Sequence, residues 1–130
     1  MKNICDDFQK NVSELLIRHK SILDILSKIA EAQTRINRAV AKSVTTCGCI
    51  KVNAKKQCIP YNGTIEDLKE CMNTHVEGEL CENCKDVIEK EIGNTLFYIT
   101  SLCNVLDISL HDVLVKEIEK INTLGIYNLY

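Results

Sequence analysis

The sequence predicts an all-α protein, an antiparallel bundle of four to five helices. Three observations carry that expectation. Neither Gly nor Pro occurs in residues 1–46. Apolar residues recur at three- and four-residue spacing on both sides of a breaker-rich middle, and few stretches alternate as a half-buried strand requires. At 130 residues and 14.7 kDa the chain has the size of one domain able to bury a core. A single helical domain over residues 1–130 is therefore expected, with an irregular region at about residues 45–84.

In the first half the apolar line runs through Ile4, Phe8, Val12, Leu15, Leu16, Leu23, Leu26, Ile29, Ile36, Val40 and Val44. One helix of about 40 residues would be roughly 60 Å long at 1.5 Å per residue, too long for a compact domain of this size. A break is expected within residues 21–31, where Ser21 and Asp24 have capping-box spacing and Ser27 is a second candidate cap. Over residues 45–63 the helical pattern stops at Gly48, Asn53, Pro60, Asn62 and Gly63, and residues 49–53 are the best strand candidate.

Thr64 with Asp67 caps a short helix through Met72, ended by residues 73–78. A long helix begins at residues 80–82 and carries Ile88, Ile92, Leu96, Ile99, Cys103 and Leu106 along one face. Ser109 with Asp112 opens the last helix, whose stripe is Leu110, Val113, Leu114, Ile118 and Ile121, with Gly125 as its stop. The apolar tail, residues 126–130, is suited to docking.

A net charge of -2 spread as interspersed charges provides no basic stripe, so nucleic acid is not an expected partner. Residues 1–8 include Asp6 and Asp7 rather than a charged-then-apolar leader, and no run approaches the roughly 18 apolar residues of a membrane span. The expectation is a cytoplasmic protein with no membrane partner. In a reducing cytoplasm eight cysteines read as thiols, metal ligands or redox sites.

Four of the eight form a pattern. Cys47 and Cys49 flank Gly48, whose freedom allows a turn tight enough for both sulfurs to converge. Cys81 and Cys84 form Cys-x-x-Cys where a helix begins, so both side chains project from its first turn, and the amide groups and helix dipole there favour thiolate. Four thiolates suit one tetrahedral zinc at about 2.3 Å, a closed shell that stabilises a loop rather than binding substrate. An iron–sulfur cluster, a reversible disulfide and unliganded thiols are the alternatives. Cys58, Cys71 and His75 lie between the pairs, as substitute ligands or as ordinary loop and helix residues; Cys5 and Cys103 fall on apolar helix faces as core residues. His19, His75 and His111 are scattered, without a context that activates a hydroxyl or thiol.

Glu91 and Asn94 share a helix face at i, i+3 and could offer oxygen ligands to Mg²⁺. The competing reading is a solvated face flanked by Lys85 and Lys90. The stretch Glu91-Ile-Gly-Asn-Thr-Leu-Phe-Tyr-Ile, continuing through Leu102-Cys-Asn-Val-Leu-Asp-Ile-Ser-Leu and residues 117–120, resembles the second half of the MazG-like nucleoside triphosphate pyrophosphohydrolases. The resemblance spans residues 87–127 and implies an all-α, dimeric or tetrameric bundle that cleaves NTPs with Mg²⁺ held by about four acidic residues. Carried over, Glu91 matches the glutamate of the family's Glu-x-x-Asp, but Asn94 replaces the aspartate. The family's earlier acidic motif aligns best with Ala30-Glu31-Ala32-Gln33-Thr34-Arg35, where only Glu31 is acidic and Arg35 stands in a carboxylate's place.

A divergent branch follows from that resemblance, with Glu31, Glu91 and Asn94 as the remnant of a catalytic site. Three functions compete: a noncatalytic or nucleotide-sensing regulatory protein, a Mg²⁺-dependent pyrophosphohydrolase with unconventional ligands such as Glu77, Glu79 or Glu89, and a cysteine-based redox or metal sensor. The apolar first half and tail call for a homo-oligomer, a dimer or higher.

Overall fold

A computed structural model describes residues 3–16, 20–59 and 64–124. Its elements in order are α1 (Ile4–Leu15), α2 (Ile22–Lys42), a single π-helical turn (Ser43–Cys47), β1 (Ile50–Val52), α3 (Ile65–Cys71), β2 (Val76–Gly78), α4 (Glu82–Val105) and α5 (Leu110–Leu124). The protein is all-α, with one small two-stranded sheet. Gly125, the tail at residues 126–130, the breakers Pro60, Asn62 and Gly63, and His19 lie outside the described residues. No single helix is long and apolar enough to cross a membrane among the described residues.

Two compact units are present, one made of residues 1–36 with 89–130 and the other of residues 37–88. In the first, Asn3 starts α1: its Oδ1 accepts from the Asp6 amide at 2.9 Å, and Asp6 and Asp7 sit in the first turn, where the dipole favours negative charge. Two helices replace one long one, and the break falls at the edge of the expected interval. The Ser21 carbonyl accepts from the Ile25 amide at 3.0 Å and its Oγ from the Leu23 amide at 3.3 Å, setting the start of α2. Ser27 is not a cap; it lies within α2 and its hydroxyl donates back to the Leu23 carbonyl at 3.1 Å.

The chain turns through 106° between α4 and α5. Asp107 takes a left-handed conformation (φ 57°), and the Ile108 amide donates to the Cys103 carbonyl at 2.8 Å, which closes α4 with the bond of a Schellman motif. Ser109 accepts from the Asp112 amide at 3.2 Å, as the sequence predicts. Gln9 of α1 grips this corner. Its Nε2 donates to the Ile108 carbonyl at 2.7 Å, its Oε1 accepts from the Leu110 amide at 2.9 Å, and its own carbonyl accepts from Asn104 Nδ2 at 3.1 Å. Orphan groups at the end of one helix and the start of the next are thereby satisfied from a third.

The buried apolar residues of this unit are Val12, Ile25, Ala32 and Cys103, joined by Thr100 and Ser101. Cys103 is a core residue as expected, and Cys5 is half-buried. The expected apolar line of α4 lies largely outside instead: Ile92, Leu96, Ile99 and Leu106 are exposed, and α5 has no buried residue. Small side chains fill the interior, and the large ones on α4 and α5 remain uncovered within one chain.

Two substitutions test this corner by equilibrium denaturation. Gln9→Ala should cost about 1–2 kcal/mol, because it strands a helix-terminal amide and a carbonyl. Asp107→Gly should be neutral or raise stability by up to about 1 kcal/mol by relieving left-handed backbone strain. A Gln9→Ala midpoint equal to that of the parent would contradict the clamp.

Candidate metal centre

Across the described part of residues 37–88 only Ser43 and Ile50 are buried. Two side chains are far too few to order a segment of this length by burial, so its structure depends on hydrogen bonds and cross-links. α2 loosens into the π-helical turn, and the Gly48 amide donates to the Ser43 carbonyl at 2.9 Å with Gly48 at φ 80°. This reversal places Cys47 and Cys49 on the same centre, the role expected of the glycine between them.

β1 then pairs antiparallel with β2, Ile50 opposite Gly78, Lys51 opposite Glu77 and Val52 opposite Val76. β1 falls inside the expected interval, whereas β2 lies in residues 73–78, where the sequence predicts only the end of a helix. Three residues offer no periodicity to detect; the pairing itself makes β2 a strand. Gly78 (φ 87°) is needed twice over, since a Cβ there would stand 2.7 Å from the Cys49 carbonyl oxygen.

The segment between the strands is closed at its neck. Gln57 and Asn73 exchange two bonds, Gln57 Nε2 to the Asn73 carbonyl at 2.7 Å and the Asn73 amide to Gln57 Oε1 at 2.9 Å. Cys58 and Cys71 are joined by a disulfide with Cα atoms 5.5 Å apart, so neither stands in for a metal ligand; the pairing itself is not among the sequence expectations. Spacing alone does not fix such a pairing, and a reducing cytoplasm would tend to keep it open. α3 has the expected capping box between Thr64 and Asp67 but stops at Cys71. His75 sits at φ 62° with a buried Nε2 that has no hydrogen-bond partner among the described residues.

The four cysteines singled out from the sequence come together. All four sulfurs of Cys47, Cys49, Cys81 and Cys84 lie within 4.8 Å of one another. Cys47 Sγ and Cys81 Sγ are 3.8 Å apart. A tetrahedron with ligands at about 2.3 Å has edges of about 3.8 Å, so the group matches the shell of a single ion. A cluster of several irons holds each cysteine on its own metal atom and spreads the sulfurs further apart. The site can therefore hold one metal ion.

Local backbone prepares the ligands. The Cys84 amide donates to Cys81 Sγ at 3.4 Å in the first turn of α4, and this bond is the largest of the influences that bring the Cys81 thiol down to about 7. The Ser43 hydroxyl lowers Cys84, but the Cys81 sulfur, burial and the other two sulfurs outweigh it and hold that thiol up at about 12. The four cannot all ionise this close together without a cation between them. Ser43 was not anticipated: it is buried, its carbonyl lies 3.8 Å from Cys49 Sγ, and only its position four residues before Cys47 hinted at it. A cavity of about 350 Å³ adjoins the cluster, lined by Lys42, Ser43, Thr46, Cys47, Asn83 and Cys84 among others.

Of the three residues carried over from the resemblance, Glu31 and Asn94 line one cavity of about 210 Å³ with Lys28, Ala32, Arg35 and Tyr98. Both Glu31 oxygens are engaged, Oε2 by Lys28 Nζ at 3.2 Å and Oε1 by Arg35 at 3.0 Å, and these cations, Lys28 first, hold its carboxyl below the usual range. Glu91 does not line that cavity; it is half-buried, with an Oε2 that lacks a hydrogen-bond partner among the described residues. No family model, curated protein or solved structure matches this chain.

If the four sulfurs hold a metal ion, a chelator should abolish amide-exchange protection across residues 37–88 while protection at the Gln9 corner persists. Gly78→Ala should weaken metal retention without altering any ligand, since Cys49 must move; full retention against a competing chelator would contradict the close approach. Alkylation of denatured, metal-free, unreduced protein should label six cysteines and spare Cys58 and Cys71.

Proposed function

We propose that this chain is a zinc-bound, noncatalytic ligand-sensing protein on a MazG-like helical scaffold, working as a homo-oligomer. The observation that carries the zinc assignment is the four-sulfur group with its tetrahedral 3.8 Å edge. All-sulfur tetrahedral sites favour zinc or iron, and zinc adds a structural cation without redox chemistry. With four protein ligands no position is open for substrate, so the metal orders residues 37–88 instead of taking part in a reaction.

The noncatalytic reading rests on Glu31, Glu91 and Asn94. A Mg²⁺ site needs oxygen ligands free to turn toward the ion, and Glu31 has each oxygen on a cation. Arg35 contributes positive charge where the resemblance would place a carboxylate, and Asn94 is neutral. The prediction is no pyrophosphate release from any of the common NTPs with Mg²⁺ or Mn²⁺, measured by ³¹P NMR. Turnover abolished by Glu91→Ala would instead establish the pyrophosphohydrolase reading.

The homo-oligomer reading is supported by the uncovered faces of α4 and α5, where Leu96, Leu114, Ile118 and Ile121 are each about half exposed. Exposed apolar side chains of this kind are stabilised by burial at about 25 cal/mol per Å² when a second copy covers them. Light scattering after size-exclusion chromatography should give a mass of two or more chains. A monomer at micromolar concentration would refute it.

A second reading has one specific support. Cys47 is the exposed member of the four, and the chain also forms a disulfide at Cys58 and Cys71, so oxidation could open the metal shell. Zinc retained through mild peroxide treatment with unchanged helicity would rule that sensor out.

A further inference from the structure

The cavity between α2 and α4 in the helical unit has the chemistry of an anion site. Lys28, Glu31, Ala32 and Arg35 stand at i, i+3, i+4 and i+7 on α2, and thus on one face. Asn94 and Tyr98, at i and i+4 on α4, form the facing wall. Ala32 is 1% exposed, and its small side chain leaves room at the floor. The resulting space of about 210 Å³ is lined by two cations, one carboxylate, an amide and a phenol, a formal charge of +1.

Glu31 arranges the cations without using them up. It takes one hydrogen bond from Lys28 Nζ at 3.2 Å and one from Arg35 Nη2 at 3.0 Å. An ammonium has three donors and a guanidinium five, so most of their donor capacity stays available. Exposed ion pairs of this kind add little to stability, and stability alone does not account for two cations fixed on one cavity wall. Asn94 adds an amide and Tyr98 a hydroxyl, both competent to donate to oxygen. Arg and Lys together recognise tetrahedral oxyanions, the guanidinium in bidentate fashion and the ammonium as a point charge.

We propose that Lys28, Arg35, Asn94 and Tyr98 form a site for the phosphate group of a small phosphorylated ligand, bound directly and without a divalent cation. This rests on the noncatalytic reading above and gives the sensed ligand a chemical class. Glu31 repels the ligand slightly, the opposite of what a metal ligand would do.

The sign of the Glu31 effect is the test. Inorganic phosphate is titrated into the zinc-loaded protein in Mg²⁺-free buffer and followed calorimetrically. Saturable binding is expected, weakened by added salt. Arg35→Gln and Lys28→Gln should each weaken it about tenfold or more, the loss of a charge-assisted hydrogen bond. Glu31→Gln should leave affinity equal or higher, because the carboxylate repulsion is gone. Binding that appears only with Mg²⁺, falls in Glu31→Gln, or is indifferent to Arg35→Gln and Lys28→Gln would overturn the proposal. Circular dichroism of each variant confirms folding, and failure of the noncatalytic reading shows separately, as NTP turnover.

Discussion

Four sulfurs drawn to within 4.8 Å of one another are the constraint on which residues 37–88 depend. That unit buries only Ser43 and Ile50 among its described residues, so it lacks the hydrophobic driving force that usually offsets chain entropy. What replaces burial is a set of local ties. The Cys47–Gly48–Cys49 reversal, the three-residue strand pair, the Gln57–Asn73 bonds and the Cys58–Cys71 disulfide each shorten the loops that the next tie must close. A metal ion at the sulfurs would join the end of α2 to the start of α4, and it would also resolve the electrostatic conflict that four adjacent thiolates create.

The helical unit solves a different problem. Its interior is built from small side chains, Ala32, Thr100, Ser101 and Cys103, with Val12 and Ile25 as the larger members. Most of the large apolar residues of α4 and α5 are left outside. One consequence is a chain whose order is fixed by hydrogen bonds at corners, of which the Gln9 clamp is the clearest. Another is a broad apolar face suited to a second copy. The polar cavity on α2 and α4 lies in the same unit and needs no contribution from the sulfur cluster. The four-cysteine group and the polar cavity are thus built from different residues.

Helices were legible in the sequence because a 3.6-residue period sustained over several turns is hard to produce otherwise, and caps at Ser21, Thr64 and Ser109 marked starts to within a residue. The four-cysteine group was legible for a different reason: a Cys-x-Cys turn and a Cys-x-x-Cys at a helix start each set two sulfurs side by side. β2 and the Gly78 approach were not, since both exist only through contact with β1, a partner about 26 residues away in sequence. The Cys58–Cys71 pairing was hidden by the many pairings eight cysteines allow. Periodicity located the stripes of α4 and α5 but was silent on whether a stripe faces its own core or another molecule. That Lys28 and Arg35 engage the two Glu31 oxygens is a matter of side-chain geometry, which residue type alone does not give.

X-ray absorption at the zinc edge, with metal stoichiometry on the same sample, addresses the central claim most directly. The account predicts one zinc per chain in a shell of four sulfurs at about 2.3 Å. Substoichiometric metal, or a first shell containing oxygen or nitrogen in place of a cysteine, would contradict it.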